Sequence, residues 1–240
     1  MSRFEWLCVL LHPFEHPLHQ RVRRTLQFLA RRFDRTSRQL DVGGRRSNYT
    51  INVPLQVWIT DVPREKALQH ALDLGATDAI RDAVLGRRTN VVSYTYDDMT
   101  RTSLPSSHFS VVSAIEVLEH VDEDELFVRN VAKVLVPGGY FLMTTPNGDF
   151  LPKPYPDHRR HYRAEQLATL LRRHFASVSV DYFVNRTRLF SFGLHRPSTT
   201  SPIRSLLGML AFGLASILDR LGYGGKGPDR KLHLFAVCKK

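Results

Sequence analysis

Across 240 residues the chain is 42% hydrophobic and 24% charged, enough apolar content for a sizeable α/β core and too much for a disordered or fibrous chain. A net charge of +11 points to an anionic partner, whether nucleic acid, a phosphorylated or acidic substrate, or an anionic membrane surface. The two cysteines, Cys8 and Cys238, lie far apart and lack metal-ligand spacing, which excludes a disulfide framework and a zinc ribbon and fits a reducing, cytoplasmic setting.

From the start, the apolar stretch Trp6 to Leu11 is short and lacks a small-residue cleavage site, so no signal peptide is expected. His12, His16 and His19 follow among Pro13 and Pro17, whose rings prevent one regular helix from aligning the imidazoles for a metal, so a surface arm is expected. Val22, Leu26, Leu29 and Phe33 then recur at helical spacing, with Arg21, Arg23, Arg24, Arg31 and Arg32 between them. This pattern predicts a basic helix that covers the sheet while its arginines stay solvated. It closes a basic N-terminal region, residues 1–36, of one domain that takes in residues 1–240.

The next stretch, R-Q-L-D-V-G-G-R-R-S, reads as a short strand ending in Asp41 and then Gly43 and Gly44, where the backbone can turn tightly and approach a ligand. A second predicted strand, Val57 to Ile59, ends in Asp61, placed to accept from ribose hydroxyls. A helix is expected from Pro63 to Leu74, then a third strand from Asn90 to Thr95. Asp97 and Asp98 close that strand, either to accept from an exocyclic amine or to cap a turn.

Phe109 to His120, F-S-V-V-S-A-I-E-V-L-E-H, is the stretch around which the rest is organised. Its apolar run predicts a strand buried on both faces, and if the chain turns helical after it, Glu116, Glu119 and His120 share a helical face. Asp122 and Glu125 resemble a capping box for the helix that follows, which Pro137-Gly138-Gly139 should stop. The strand Tyr140 to Thr145 leads into a basic, proline-rich loop whose His158 and His161 are candidates to join the trio. After a helix at 164–175 and a strand at 178–184, residues 185–231 form a helical insertion or lid before the last strand, 232–238. Within the insertion the apolar helix 203–221 suits peripheral membrane contact, and its uncharged run, Leu206 to Leu218, is too short to span a bilayer.

D-V-G-G after the first strand and E-V-L-E-H after the fourth, in this order of elements, resemble the class I S-adenosylmethionine-dependent methyltransferases. The resemblance implies a Rossmann-like α/β fold, a seven-stranded sheet of order 3-2-1-4-5-7-6 with helices on both faces. It further implies S-adenosylmethionine as cofactor, with Asp41, Gly43 and Gly44 at the methionine part, Asp61 at the ribose, and Asp98 with Met99 at the adenine. Where the family shows D-x-G-x-G-x-G, this chain has Arg45 and Ser47 at the second and third spaced glycines. Arg45 is thus placed to pair with the cofactor's carboxylate or to block the site, and a non-catalytic scaffold stands as the non-enzyme alternative.

Two branches of the family look closest. E-V-L-E-H with T-P-N and a later D-H is similar to small-RNA 3′-terminal 2′-O-methyltransferases, which implies a divalent metal, Mg²⁺ or Mn²⁺, at Glu116, Glu119, His120 and His158. The same segments with D-H-R-R-H-Y-R-A-E-Q-L resemble bacterial methyltransferases of sugars and other small molecules, which implies an anionic or sugar-containing acceptor and is the preferred reading. A hydroxyl acceptor needs deprotonation, for which His120, His161 and Glu116 are the catalytic candidates.

Overall fold

The computed structural model describes residues 1–65, 74–185, 202–221 and 228–240. One sheet holds seven strands: β1 (Arg38–Val42), β2 (Gln56–Asp61), β3 (Val91–Tyr96), β4 (Phe109–Ile115), β5 (Leu135–Pro146), β6 (Ser177–Asn185) and β7 (Lys231–Lys239). Their order is 3-2-1-4-5-7-6, with β1 to β5 parallel and β7 antiparallel between β5 and β6. The described helices are α1 (Arg3–Leu11), α2 (Pro17–Ala30), α3 (Asp78–Arg87), α4 (Asp124–Val134), α5 (Ala164–Arg172) and α6 (Pro202–Arg220).

Every residue of β4 is buried, and alternation along the strand divides it between two layers. Val112 and Ala114 share one core with Phe127 and Val131 of α4 and Leu167 and Leu171 of α5. Val111 and Ile115 share the other with Leu18, Val22, Leu26 and Leu29 of α2. The sheet is therefore covered by helices on both faces, the Rossmann-like architecture the resemblance implies.

Several local expectations are corrected. The chain does not turn helical after β4: Glu116 adopts φ +55°, Leu118–His120 is a single 3₁₀ turn, and α4 starts only at Asp124. A left-handed residue breaks the helical register, so Glu116, Glu119 and His120 do not share a helical face. No side chain caps α4, so Asp122 and Glu125 form no capping box, and Leu135 to Gly139 belong to β5 rather than ending the helix. Arg23 of α2 is buried, its Nη2 donating to the Asn48 carbonyl at 2.6 Å, so the helix's arginines are not all solvated. Most of the helix expected at Pro63 to Leu74 lies outside the described residues; Pro63 itself makes a bridge to Ala76. Of the 185–231 insertion, the described part is chiefly α6.

The histidines of the N-terminal region are not a surface arm. α1 is a helix with its own capping box, Ser2 and Glu5, and Glu5 is buried where its carboxylate accepts from Thr89 N and Oγ1 at 2.9 and 2.7 Å. After the His12–Phe14 turn, the His16 side chain caps α2, and its ring meets Phe212 of α6 at 5.3 Å and His233 of β7 at 6.1 Å. His19 packs on Tyr49 at 5.5 Å. The prolines place these rings on successive turns of a corner, and α6 covers that corner.

Candidate active site

The strand order reverses between β1 and β4, and Val42 pairs with Ala114 there, so the turns leaving both strands open into one crevice at the sheet's C-terminal edge. A cleft of about 560 Å³ fills it, lined among others by Gly43, Arg45, Asp61, Asp98, Glu116 and His120. Those volumes are typical of cofactor sites. The crevice joins the glycine turn to the Glu116–His120 turn by direct packing. A Cβ on Gly43, itself at φ +71°, would stand 2.8 Å from Val117 Cγ2. One on Gly44 would stand 2.5 Å from Asp41 Oδ2.

Asp41 lies behind the turn rather than in the cleft. It is fully buried, with Oδ1 accepting from Ser113 Oγ at 2.6 Å and Tyr49 Oη at 3.3 Å, and burial pushes its pKa up to about 6 against those bonds. Asp61 lines the cleft. Its Oδ1 accepts from Val62 N, its buried Oδ2 accepts no hydrogen bond, and Arg45 Nε stands 3.8 Å from that oxygen. Burial again lifts the group to about 6, with Arg45 opposing. An oxygen without a donor at a cleft wall fits a ligand hydroxyl, and the residues present therefore fit the ribose of the implied cofactor.

At the far wall Met99 is buried and Asp98 caps the turn Met99–Arg101, accepting from Thr100 N at 3.0 Å. Its neighbour Asp97 also lines the cleft and holds a buried Oδ1 with no hydrogen-bond partner, while its Oδ2 accepts from Ser103 N at 3.0 Å. Asp97 is thus the better-placed acceptor for an exocyclic amine. The doubled acid was visible in the sequence; which of the two would cap the turn was not.

The two glutamates after β4 have opposite environments. Glu116 Oε1 accepts from Thr144 Oγ1 at 2.8 Å and Oε2 lies 3.1 Å from His233 Nδ1. Burial alone would raise its pKa, but the His233 imidazole and the Thr144 hydroxyl outweigh it and hold the carboxyl below its ordinary value. Glu119 is fully buried, bonded through Oε2 to Thr145 Oγ1 at 3.1 Å, with Oε1 unpartnered. Burial and the Glu116 charge push its pKa well up.

Each of the three histidines is held by a hydrogen bond, and only His158 and His161 are bonded to each other. His120 Nδ1 lies 2.9 Å from the Asp157 carbonyl, so that nitrogen carries the proton and Nε2 is left bare. His161 Nδ1 donates to the Leu151 carbonyl at 2.7 Å, which makes its Nε2 the acceptor for His158 Nδ1–H at 2.8 Å and leaves His158 Nε2 bare in turn. One donor atom each from Glu119, His120 and His158 lies within 4.8 Å of the others. Glu116, turned toward His233, falls outside that group. Buried His161, with both nitrogens engaged, orients His158 and has none left for a substrate. His233 had no local signal: it lies at the start of β7, opposite Pro146 of β5, and only that antiparallel pairing brings it to Glu116.

A methyltransferase-domain family model (Methyltransf_23) matches residues 14–189. A probable S-adenosylmethionine-dependent methyltransferase of Mycolicibacterium smegmatis is 35% identical over 85 residues, which are 33% of this chain; the match likewise spans a third of that curated relative. Among solved structures, the cyclase SpnF is similar with a TM-score of 0.56 at 20% identity, covering 91% of this chain and 81% of that one. Haemonchus contortus phosphoethanolamine N-methyltransferase 2, in complex with S-adenosyl-L-methionine, is similar with a TM-score of 0.57 at 13% identity, covering 90% of this chain and 52% of that one. At such identities both likenesses bear on the fold alone.

Proposed function

This chain belongs to the methyltransferase-domain family, and from that premise we propose that it is an S-adenosylmethionine-dependent enzyme that methylates a hydroxyl oxygen of a small-molecule or sugar acceptor, with His120 as general base. One observation carries the reading. His120 lines the same cleft as Gly43, Asp61 and Asp98, and its Nδ1–H is tied to the Asp157 carbonyl, which leaves Nε2 to take a proton. The Glu116 carboxyl, held below its ordinary value by His233 and Thr144, is a poor base, so the proton is assigned to His120.

The cofactor supplies an electrophilic methyl group when bound. Asp61 and Asp97, each with a buried oxygen lacking a donor, hold its hydroxyls and amine, while Gly43 lets the backbone come close. Glu116, ionised and fixed by Thr144 and His233, accepts a hydrogen bond from a second polar group of the acceptor and sets its orientation. The methyl group would leave the donor's sulfonium, which departs as the neutral thioether, and His120 Nε2 would take the proton that the acceptor hydroxyl gives up. Measuring which atom of a turned-over acceptor carries the methyl, together with His120→Asn, tests this. An O-methyl product and a fall in kcat of about 10²–10⁴-fold support it; an N-methyl product, or an undiminished variant, contradicts it.

A second reading rests on the Glu119, His120 and His158 group. Two bare imidazole nitrogens anchored from behind and one unpartnered carboxylate oxygen suit a divalent ion such as Mg²⁺ or Mn²⁺, which would lower the pKa of an RNA terminal 2′-hydroxyl. Glu119 would ionise on binding it. In that case short single-stranded RNA binds with a steep loss of affinity as salt rises and is methylated only with the ion present.

A further inference from the structure

α6 places its residues the wrong way round for a helix of an ordinary core. Toward the body it turns small or aromatic positions: Ala215 is buried, Gly213 would put a Cβ 3.4 Å from the Phe14 ring, and Phe212 packs on His16. Outward it turns Ile203, Leu206, Leu207, Leu210, Leu214 and Ile217, spaced three and four apart on one helical face. Their exposure runs from 49% at Leu214 to 71% at Ile203, which leaves on the order of 600 Å² of apolar surface in water, at the upper end of the largest patch of a typical monomer.

A second apolar surface stands nearby. The His12–Phe14 turn that leaves α1 packs against α6, and α1 exposes Trp6, Leu7 and Leu10 beside Arg3. The only acid of α1, Glu5, is turned inward onto Thr89. The outer face of α1 thus combines an aromatic ring, leucines and a cation without a carboxylate. That combination suits the headgroup boundary of a bilayer.

We infer that the outer faces of α1 and α6 dock this protein onto an anionic lipid surface, with their leucines, isoleucines and Trp6 in the acyl boundary and Arg3 against the headgroups. Charge selects this occupant over a second copy of the chain. Two molecules of net charge +11 repel as they approach, whereas a lipid surface of opposite sign draws each one in. No described helix is long and apolar enough to cross a membrane, in keeping with a helix that lies on the surface. The inference is independent of the acceptor, although the inner face of α6 reaches the Glu116 side of the site through Phe212, His16 and His233.

Co-sedimentation of the full chain with phosphatidylcholine vesicles, with and without phosphatidylglycerol, tests the inference alongside the triple variant Leu207→Gln/Leu210→Gln/Leu214→Gln. These side chains are exposed, so the variant should retain its melting temperature and its S-adenosylhomocysteine affinity, both measured as controls. The expected result is binding at least roughly tenfold tighter to the anionic vesicles, weakened by salt, and lost by at least roughly tenfold in the variant. Absence of vesicle binding overturns the inference. So does equal binding by the variant, which would make the attraction purely electrostatic, or a dimer in light scattering that the variant dissolves, which would assign the face to a second copy.

Discussion

Glu116 and His233, 117 residues apart in sequence, meet at the C-terminal edge of the sheet with Glu116 Oε2 and His233 Nδ1 3.1 Å apart. The contact exists because β7 runs antiparallel to β5, so the start of one lies beside the end of the other. The two glutamates of E-V-L-E-H are shifted in opposite directions, the Glu116 carboxyl held below its ordinary value and that of Glu119 pushed well above it. Glu116 is held this way at a left-handed φ of +55°, a conformation that a non-glycine residue keeps only when its surroundings fix it.

Replacing His233 by Gln removes the partner that holds the Glu116 carboxyl below its ordinary value. Burial then dominates and the Glu116 pKa rises. The acid limb of kcat/KM should move to higher pH and the acceptor KM should increase by about tenfold, while S-adenosylhomocysteine affinity stays within a few-fold. A pH profile of the variant that overlays the wild type would show that His233 does not tune the site.

Much of this site was legible before the structure. The run at Val111 to Ile115 announced the central buried strand, and Asp41 with Gly43 and Gly44 announced the turn beside it. What followed Ile115 was misread because a single positive φ at Glu116, invisible to helical spacing, sends the two glutamates in different directions. His16, His19 and His233 carried no local signal, since their places depend on α6 and β7 returning from far along the chain. The sequence showed that Asp97 and Asp98 close a strand, but only packing decided which one caps the turn and which keeps an oxygen for the cleft.

Asp61 should trade stability for cofactor binding. Burial lifts its folded pKa to about 6, above the 3.8 of an ordinary aspartate. The stability it contributes is therefore complete below about 3.8 and lost as pH rises through about 6. Asp61→Asn should raise the stability of the cofactor-free protein at pH 8 by up to about 2–3 kcal/mol, and by much less at pH 4, in thermal melts across that range. The same variant should bind S-adenosylmethionine at least roughly tenfold more weakly, because a ribose hydroxyl loses a charged acceptor. A variant no more stable at pH 8 than wild type would argue against the buried charge.

Gly44→Ala tests the packing of the glycine turn. The new methyl would stand 2.5 Å from Asp41 Oδ2, and Asp41 is fully buried between Ser113 and Tyr49 with no room to withdraw. A loss of about 1–3 kcal/mol in denaturant unfolding is expected, with cofactor affinity falling in step. Unchanged stability would mean that the turn is looser than its contacts imply.

Glu119→Gln separates the two chemical readings. The amide keeps the shape of the acid and its Thr145 partner, so a metal-free reaction with His120 as base should fall by less than about tenfold. A metal-assisted reaction would lose most of its rate, and Mn²⁺ binding followed by electron paramagnetic resonance would weaken by about 10–100-fold. Wild-type protein that binds no Mn²⁺ at millimolar concentration excludes the metal reading outright.

The central claim is that one cleft holds the methyl donor against His120 and Glu116, and a crystal structure with S-adenosylhomocysteine tests it most directly. The account predicts a ribose hydroxyl on Asp61 Oδ2, the exocyclic amine on Asp97 Oδ1, and the sulfur facing the side of the cleft where His120 Nε2 and Glu116 stand, with room between for a hydroxyl about 3–3.5 Å from the transferred methyl. A ligand bound the other way round, with its adenine at Glu116 and its sulfur beside Met99, would contradict it.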